Sequence, residues 1–173
     1  MRRMPCICNA AFATGLLLLL ATIGLTGCGF QPRGQAVMLS GVPSPLHIAG
    51  LTPYSPLQRE LANQLEASGA SLSETAAGAA AVLRISDWRS GSRVLSVNSR
   101  NKAVEYELEE SATFALRTAD GREPVAPQTV RTLRILFQPE DAVLGSSREA
   151  ELLRADMRRQ LVDSIVRRLA ATR

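Results

Sequence analysis

The strongest structural signal in the chain is the alternation of apolar and polar residues in 103–118, AVEYELEESATFALRT. Successive side chains of a strand point to opposite faces, so this stretch predicts a strand with one buried and one wet face. The face predicted to be buried carries Val104, Tyr106, Leu108, Ala112, Phe114 and Leu116, and Glu110 interrupts this apolar series. The chain therefore needs a sheet and a second layer that covers one side of it.

Three further strands are predicted around this one. The Asp-Gly pair in ADGR predicts a tight turn, after which EPVAPQTVRTLRILF returns antiparallel, with Pro124 and Pro127 favouring loose pairing or an edge position. Upstream, AAVLRISDWRSGSRVLSV predicts a strand to about Ser90, with a bend or bulge at Gly91. Residues Arg93 to Val97 either continue that strand or leave it. The segment PLHIAG predicts a short first strand.

Two amphipathic helices complete the pattern. In SPLQRELANQLEASGA, Ser55 is the predicted N-cap, Gly69 the stop, and one apolar face is formed by Leu57, Leu61 and Leu65. A capping box of Ser146 and Glu149 is predicted to open the last helix. Its apolar stripe is Leu153, Met157, Leu161, Ile165 and Leu169, and its outward positions include Arg154, Arg158, Arg159, Asp163 and Arg167. The predicted fold is α+β: a two-layer sandwich of an approximately four-stranded, mostly antiparallel sheet with two helices packed on one face.

The amino terminus has the layout of a secretory signal peptide. Arg2 and Arg3 precede an uncharged apolar run that ends in Leu-Thr-Gly-Cys at residues 25–28, and this ending resembles the lipobox of bacterial lipoproteins. In lipoproteins this cysteine, here Cys28, carries an S-diacylglycerol and an N-acyl group after cleavage. We expect residues 1–27 to be a cleaved leader, 28–44 a lipidated tether and 45–173 a single domain. Because Gly29 rather than aspartate follows the cysteine, lipoprotein sorting favours the outer membrane.

Composition argues against several function classes. Cys6 and Cys8 lie in the predicted leader, so no disulfide framework or metal cluster is expected in the mature chain. His47 is the only histidine, no nucleophile motif accompanies it, and no glycine loop for phosphate is present, so we expect neither an enzyme nor a cofactor. Aromatic residues make up only 4% of the chain, which together with export argues against nucleic-acid binding.

Two basic stretches are the candidate binding residues. One, SRVLSVNSRNK, contains Arg93, Arg100 and Lys102, and the other, VLGSSR, contains Arg148 near the start of the last helix. Arginine can bind phosphate through two parallel hydrogen bonds, and the start of a helix offers free N–H groups. Either stretch could therefore bind an anionic head group. The alternative interpretation is that both are ordinary solvated loops.

Taken together, the lipobox with CGFQPRG after it, the hairpin VEYELEESATFALRTADGR and the terminal block LRILFQPEDAVLGSSREAELLRADMRRQLVDSIVRRLA resemble the LptE family. The resemblance implies a lipopolysaccharide (LPS)-assembly lipoprotein of the outer membrane that sits on the periplasmic side as a plug inside the β-barrel protein LptD. It also implies direct, non-covalent LPS binding through basic residues near the hairpin loop and the last helix. The family's basic positions fall on Ser99 and Ser146, and Arg100 and Arg148 lie close by.

Two other interpretations stay open from the residues alone. One is a generic outer-membrane lipoprotein that binds another envelope protein or peptidoglycan. The other is a periplasmic enzyme, which would depend on His47.

Overall fold

The computed structural model describes residues 37–138 and 143–172. The predicted leader, Cys28 and the first part of the predicted tether lie outside them. In chain order the elements are β1 (Leu46–Ala49), α1 (Pro56–Ala67), a 3-10 turn (Ala76–Gly78), β2 (Ala81–Val97), β3 (Ala103–Thr118), β4 (Val125–Phe137) and α2 (Val143–Ala170).

The four strands form one sheet in the order β1-β2-β3-β4. β1 runs parallel to β2, and the other two pairs are antiparallel, which confirms the predicted mostly antiparallel sheet. β4 lies at an edge, where Pro127 needs no second strand partner. The Asp-Gly turn is confirmed as well, because the Thr118 N–H donates to the Arg122 carbonyl at 2.9 Å and Gly121 adopts a φ of 87°.

β2 is one long strand, and its register shifts do not occur at Gly91. Gly91 pairs in register with Glu109, whereas the register shifts between Val94 and Val97 and, earlier in the strand, between Ser86 and Arg89. Asp87 has a φ of 50° there, and the neighbouring Trp88 turns to the helix side of the sheet, where it bonds Glu110. The predicted bulge at Gly91 was therefore wrong, because a long-range side-chain contact, and not the local freedom of glycine, decides where the strand is interrupted.

α1 follows its sequence signals. The Ser55 hydroxyl accepts a hydrogen bond from the Gln58 N–H at 3.3 Å, which confirms the N-cap. Gly69, with a φ of 87°, lies two residues beyond the helix end. The three leucines of the predicted face are fully buried against the sheet: Leu57, Leu61 and Leu65.

α2 begins earlier than predicted. The helix starts at Val143, so Ser146 has helical backbone and is not an N-cap, and the predicted capping box was wrong. Nothing from Val143 to Gly145 prevents a helix, since an interior glycine costs only about 1 kcal/mol. The predicted inner stripe is confirmed by the complete burial of Met157, Leu161, Ile165 and Leu169.

The buried side chains form two clusters. The larger lies between both helices and all four strands of the sheet, and it includes Leu39 and Val42 from the segment before β1. The smaller is formed by Leu108, Leu136 and Met157, with half-buried neighbours packed around it. The division into leader, tether and domain stays a prediction. Leu39 and Val42, which lie in the predicted tether 28–44, are packed in this core.

Candidate functional site

The candidate cations lie at one end of the sheet, which we call the hairpin end: the loop Asn98–Lys102, the adjoining ends of β2 and β3, and the first turns of α2. Ala150 and Leu153 of α2 pack with Tyr106 of β3 in the smaller cluster. The end of β4 reaches the same region, because the Gln138 N–H donates to the Val104 carbonyl at 2.8 Å. The tertiary structure thus brings the two basic stretches to the same end of the domain.

Asn98 organises the loop. Its side-chain Oδ1 accepts hydrogen bonds from the backbone N–H groups of Arg100 at 2.9 Å and Lys102 at 3.0 Å. Its own N–H donates to the Lys102 carbonyl at 2.8 Å, and Asn101 adopts a φ of 58°. Asparagine suits this position because its short amide can bond the backbone two residues ahead. The result is an ordered turn on which Arg100 and Lys102 are exposed.

Arg93 has an acidic partner on the neighbouring strand. Its Nε lies 2.7 Å from Oε1 of Glu107 on the neighbouring strand. The hydrogen bond raises the pKa of Arg93 and lowers the pKa of the Glu107 carboxyl. Arg93 is 71% exposed, so an anion that binds it has to compete with Glu107 for the guanidinium group.

Arg148 lies in the second turn of α2 and is exposed. The sequence predicted that it stands beside the helix start, and the helix in fact begins at Val143, so the free N–H groups precede it along the axis. The resemblance placed two basic positions on Ser99 and Ser146. Ser99 is an exposed residue of the hairpin loop next to Arg100. Ser146 lies two residues before Arg148 in the first turns of the helix.

Exposed apolar side chains accompany the cations, and the sequence analysis did not single them out. Val94 is 52% exposed, Leu95 41% and Val97 52%. They lie in the last part of β2 and stay exposed, whereas Leu83 and Ile85 earlier in the strand are fully buried. Their apolar character within the basic stretch SRVLSVNSRNK was the signal that could have revealed them. The hairpin end therefore offers both apolar and cationic groups.

A buried polar cluster joins β2, β3 and α2 below the hairpin end. The fully buried Glu110 accepts hydrogen bonds from Trp88 Nε1 at 3.1 Å and from the Ser90 hydroxyl at 2.7 Å. Arg158 Nη1 lies 3.5 Å from the same carboxylate, and its side chain is only 21% exposed. The prediction that Arg158 points outward was wrong, because a buried carboxylate in the sheet attracts it.

His47 has a structural contact. Its Nδ1 lies 3.0 Å from the Ser73 carbonyl oxygen, to which it can only donate. A groove of about 770 Å³ beside it is lined partly by Tyr54 and Arg59, and none of the described lining residues is a serine, threonine or cysteine. Across residues 37–138 and 143–172, no cluster of potential metal ligands is found. Within the same ranges, no helix has the length and apolar character to cross a membrane.

Comparison with known proteins identifies the family of this chain. The sequence profile of the family described as LptE, lipopolysaccharide-assembly, matches residues 44–169. A relative named LPS-assembly lipoprotein LptE from Photorhabdus laumondii subsp. laumondii is 30% identical over 154 residues, covering 89% of this chain and 83% of the relative. The chain belongs to the LptE family. Proteins of the LptE family are LPS-assembly lipoproteins and not enzymes, so His47 has no catalytic role to fill.

Solved structures agree with this assignment. The solution structure of an uncharacterized lipoprotein B from Nitrosomonas europaea matches with a TM-score of 0.67 and 26% identity, covering 83% of this chain and 91% of that one. The rare lipoprotein B of Shewanella oneidensis matches with a TM-score of 0.63 and 28% identity, covering 73% and 94%. These neighbours share the arrangement of sheet and helices that positions the hairpin end in this LptE family member.

Proposed function

We propose that this chain is an outer-membrane lipoprotein, anchored through Cys28, that plugs the LptD β-barrel and assists LPS assembly at the outer-membrane surface. In this proposal LPS binds non-covalently at the hairpin end, with Arg100, Lys102 and Arg148 as the main cationic contacts. Arg93, which pairs with Glu107, is a further contact. Membership of the LptE family supports the assembly role.

The observation that carries the LPS proposal is the meeting of cations and exposed apolar side chains at the hairpin end. LPS combines phosphate groups with acyl chains, so a surface that binds it needs both kinds of contact. Arg100 and Lys102 stand on the ordered loop, and Val94 and Val97 are exposed on the strand that leads to it. Arginine can hold a phosphate with two parallel hydrogen bonds, whereas the apolar groups favour acyl chains.

The plug role is supported by the character of the outer face of the sheet. This face carries the acidic ladder of β3, whose Glu107 and Glu109 are paired with Arg93 and Arg131 on the flanking strands. A large barrel has a polar, water-filled lumen, and a face of paired charges is compatible with it. Acyl chains on Cys28 would keep the domain beside the barrel and raise its effective concentration there.

Charge reversal tests the LPS site. Changing Arg100→Glu together with Arg148→Glu is expected to weaken LPS binding, and the wild-type affinity is expected to fall as salt is raised. The matched control is Arg84→Glu with Arg117→Glu, which makes the same charge change at exposed positions of the opposite end of the sheet. Equal loss in both double variants would mean that net charge, and not this site, governs binding.

Co-purification tests the barrel partner separately. Tagged mature chain expressed with LptD of the same organism is expected to retain the barrel protein through purification. A lipidated chain that reaches the outer membrane but never retains LptD would contradict the plug role. It would favour a generic lipoprotein that binds another envelope component.

A further inference from the structure

β4 has one side without a strand partner, and the pairing register shows which backbone groups face it. Gln138 bonds inward to Val104, and bonding alternates along an antiparallel ladder, so the even-numbered residues of β4 bond to β3. The N–H and C=O groups of the odd-numbered residues therefore point to the open edge. Among the described residues nothing bonds the backbone of Ile135 or Phe137 on that side.

Side-chain contacts confirm this direction independently. The Leu133 carbonyl accepts a hydrogen bond from Arg134 Nη1 at 3.0 Å, and the Thr129 carbonyl accepts one from Arg168 Nη1 at 3.4 Å. Both acceptors are odd-numbered residues whose carbonyls cannot be bonded to β3. Among the described residues, the edge is thus partly covered at Thr129 and Leu133 and open at Ile135 and Phe137.

The same odd-numbered residues carry exposed apolar side chains on the face away from the helices. Leu133 is 39% exposed, Ile135 66% and Phe137 59%. Their cross-strand neighbours on β3 are glutamates, so they form the apolar margin of an otherwise polar face. A long edge strand with an apolar face pairs readily with another strand, and proteins usually protect such edges.

The charges along this edge are positive. Arg134 bonds Gln160 and Arg168 bonds Gln128, both neutral partners, and neither arginine forms an ion pair within the described parts of the chain. Arg131 is paired with Glu109. Among the described residues, these two guanidinium groups have no acidic partner, and Arg134 lies over the Leu133 carbonyl directly beside the open part of the edge. They would attract a strand that carries carboxylates.

We propose that the edge of β4 from Leu133 to Phe137 docks an extended segment of a partner protein, with apolar side chains on one face and a carboxylate near Arg134. The segment adds a fifth strand, bonds the backbone of Ile135 and Phe137, and covers the apolar margin. Main-chain bonds supply affinity in such strand addition, and side chains supply selectivity. This docking surface is separate from the proposed LPS site and does not depend on it.

A second copy of this chain is a poorer occupant. It would bring the same arginines to the seam, so cations would face cations. Three partly exposed side chains also contribute at most a few hundred Å² of apolar area, because a large aromatic side chain buries about 150–250 Å² when covered completely. A stable dimer buries about 800 Å² per partner. An extended acidic segment needs no such area because it gains ladder hydrogen bonds.

The test uses the purified mature protein and a strand-length peptide of alternating glutamate and valine, with a lysine and valine peptide of the same length for comparison. Hydrogen exchange is read residue by residue by NMR. The amides of Ile135 and Phe137 are expected to exchange fast in the free protein and to slow down with the glutamate peptide. The amides of Arg134 and Leu136 are expected to be protected throughout, since they bond β3.

Two variants of Ile135 distinguish backbone hydrogen bonding of the peptide from nonspecific hydrophobic binding. Ile135→Pro removes an outward N–H without touching the β3 ladder, and it is expected to weaken glutamate-peptide binding by about tenfold. Ile135→Glu keeps the backbone and is expected to weaken it through repulsion. The control Leu152→Glu makes the same change at a 65% exposed residue of α2 and is expected to have no effect.

The proposal is overturned if the Ile135 and Phe137 amides stay unprotected at saturating glutamate peptide. It is also overturned if the lysine peptide binds equally well, or if Leu152→Glu weakens binding as much as Ile135→Glu. Sedimentation that shows a dimer abolished by Ile135→Glu would assign the edge to a second copy instead. None of these results depends on LptD or LPS, so they are distinguishable from a failure of the proposed function.

Discussion

Glu110 should be the most informative residue to change, because it is fully buried and joins three elements. We compare Glu110→Ala, which removes the carboxylate, with Glu110→Gln, which keeps the shape and one acceptor. In the glutamine variant the side-chain oxygen can still accept from Trp88, and the amide can donate to the Ser90 hydroxyl. The alanine variant leaves Trp88 and Ser90 without this partner.

The magnitude follows from the contacts. A hydrogen bond to a charged group contributes about 1.5–3 kcal/mol. Ser90 is exposed and Trp88 half-buried, so both can bond water after the change, and the lower figure applies to each. Arg158, at 3.5 Å, adds little because its side chain can turn to solvent. We therefore expect Glu110→Ala to lower the free energy of unfolding by about 3 kcal/mol and Glu110→Gln by about 1 kcal/mol.

Urea unfolding of the purified mature protein in detergent measures both values. Trp88 is the only tryptophan in the chain, so its fluorescence reports on the cluster and on global unfolding together. If Glu110→Gln costs as much as Glu110→Ala, the charge pairing with Arg158 dominates and the hydrogen-bond argument is wrong. If Glu110→Ala costs less than about 1 kcal/mol, the cluster does not stabilise the fold.

Three further predictions concern the anchor, the smaller core cluster and the Asp-Gly turn. Cys28→Ser should leave an unprocessed precursor, and unchanged migration with unchanged membrane fractionation would refute the anchor. Met157→Ala should cost about 3 kcal/mol in urea unfolding because Met157 is fully buried, whereas Leu152→Ala, at an exposed site, should cost less than about 0.5 kcal/mol. Hydrogen bonds from Thr118 and then Arg122 lower the pKa of Asp120 to about 2, so the stabilising effect of the carboxylate is complete above the unfolded pKa of 3.8 and is lost as the pH falls through about 2. Asp120→Asn should therefore destabilise the protein at neutral pH, with the difference from wild type shrinking in acid unfolding curves.

The sequence was most informative where structure depends on near neighbours. The alternation in 103–118, the Ser55 cap and the Asp-Gly turn are set by backbone geometry over a few residues, and all three are confirmed. The leucines at every fourth residue of α1 predicted its buried face for the same reason. The prediction at Gly91 was wrong because Trp88, bonded to the distant Glu110, lies where the strand is interrupted. The cap predicted at Ser146 was wrong because the helix already starts at Val143.

The candidate site shows the same division. The sequence alone identified Arg100, Lys102 and Arg148 as exposed cations, since charged residues in polar stretches seldom become buried. Only the tertiary structure showed that Glu107 pairs with Arg93, that Arg158 turns inward to Glu110, and that the apolar residues in the last part of β2 are exposed. The sequence did not reveal the open edge of β4 either. Several apolar residues stand next to one another in TLRILF, so the pattern does not show which of them are buried under the helices and which are exposed. A side chain's partner and its exposure depend on elements far away in the chain, and these are defined only once the sheet and helices have packed.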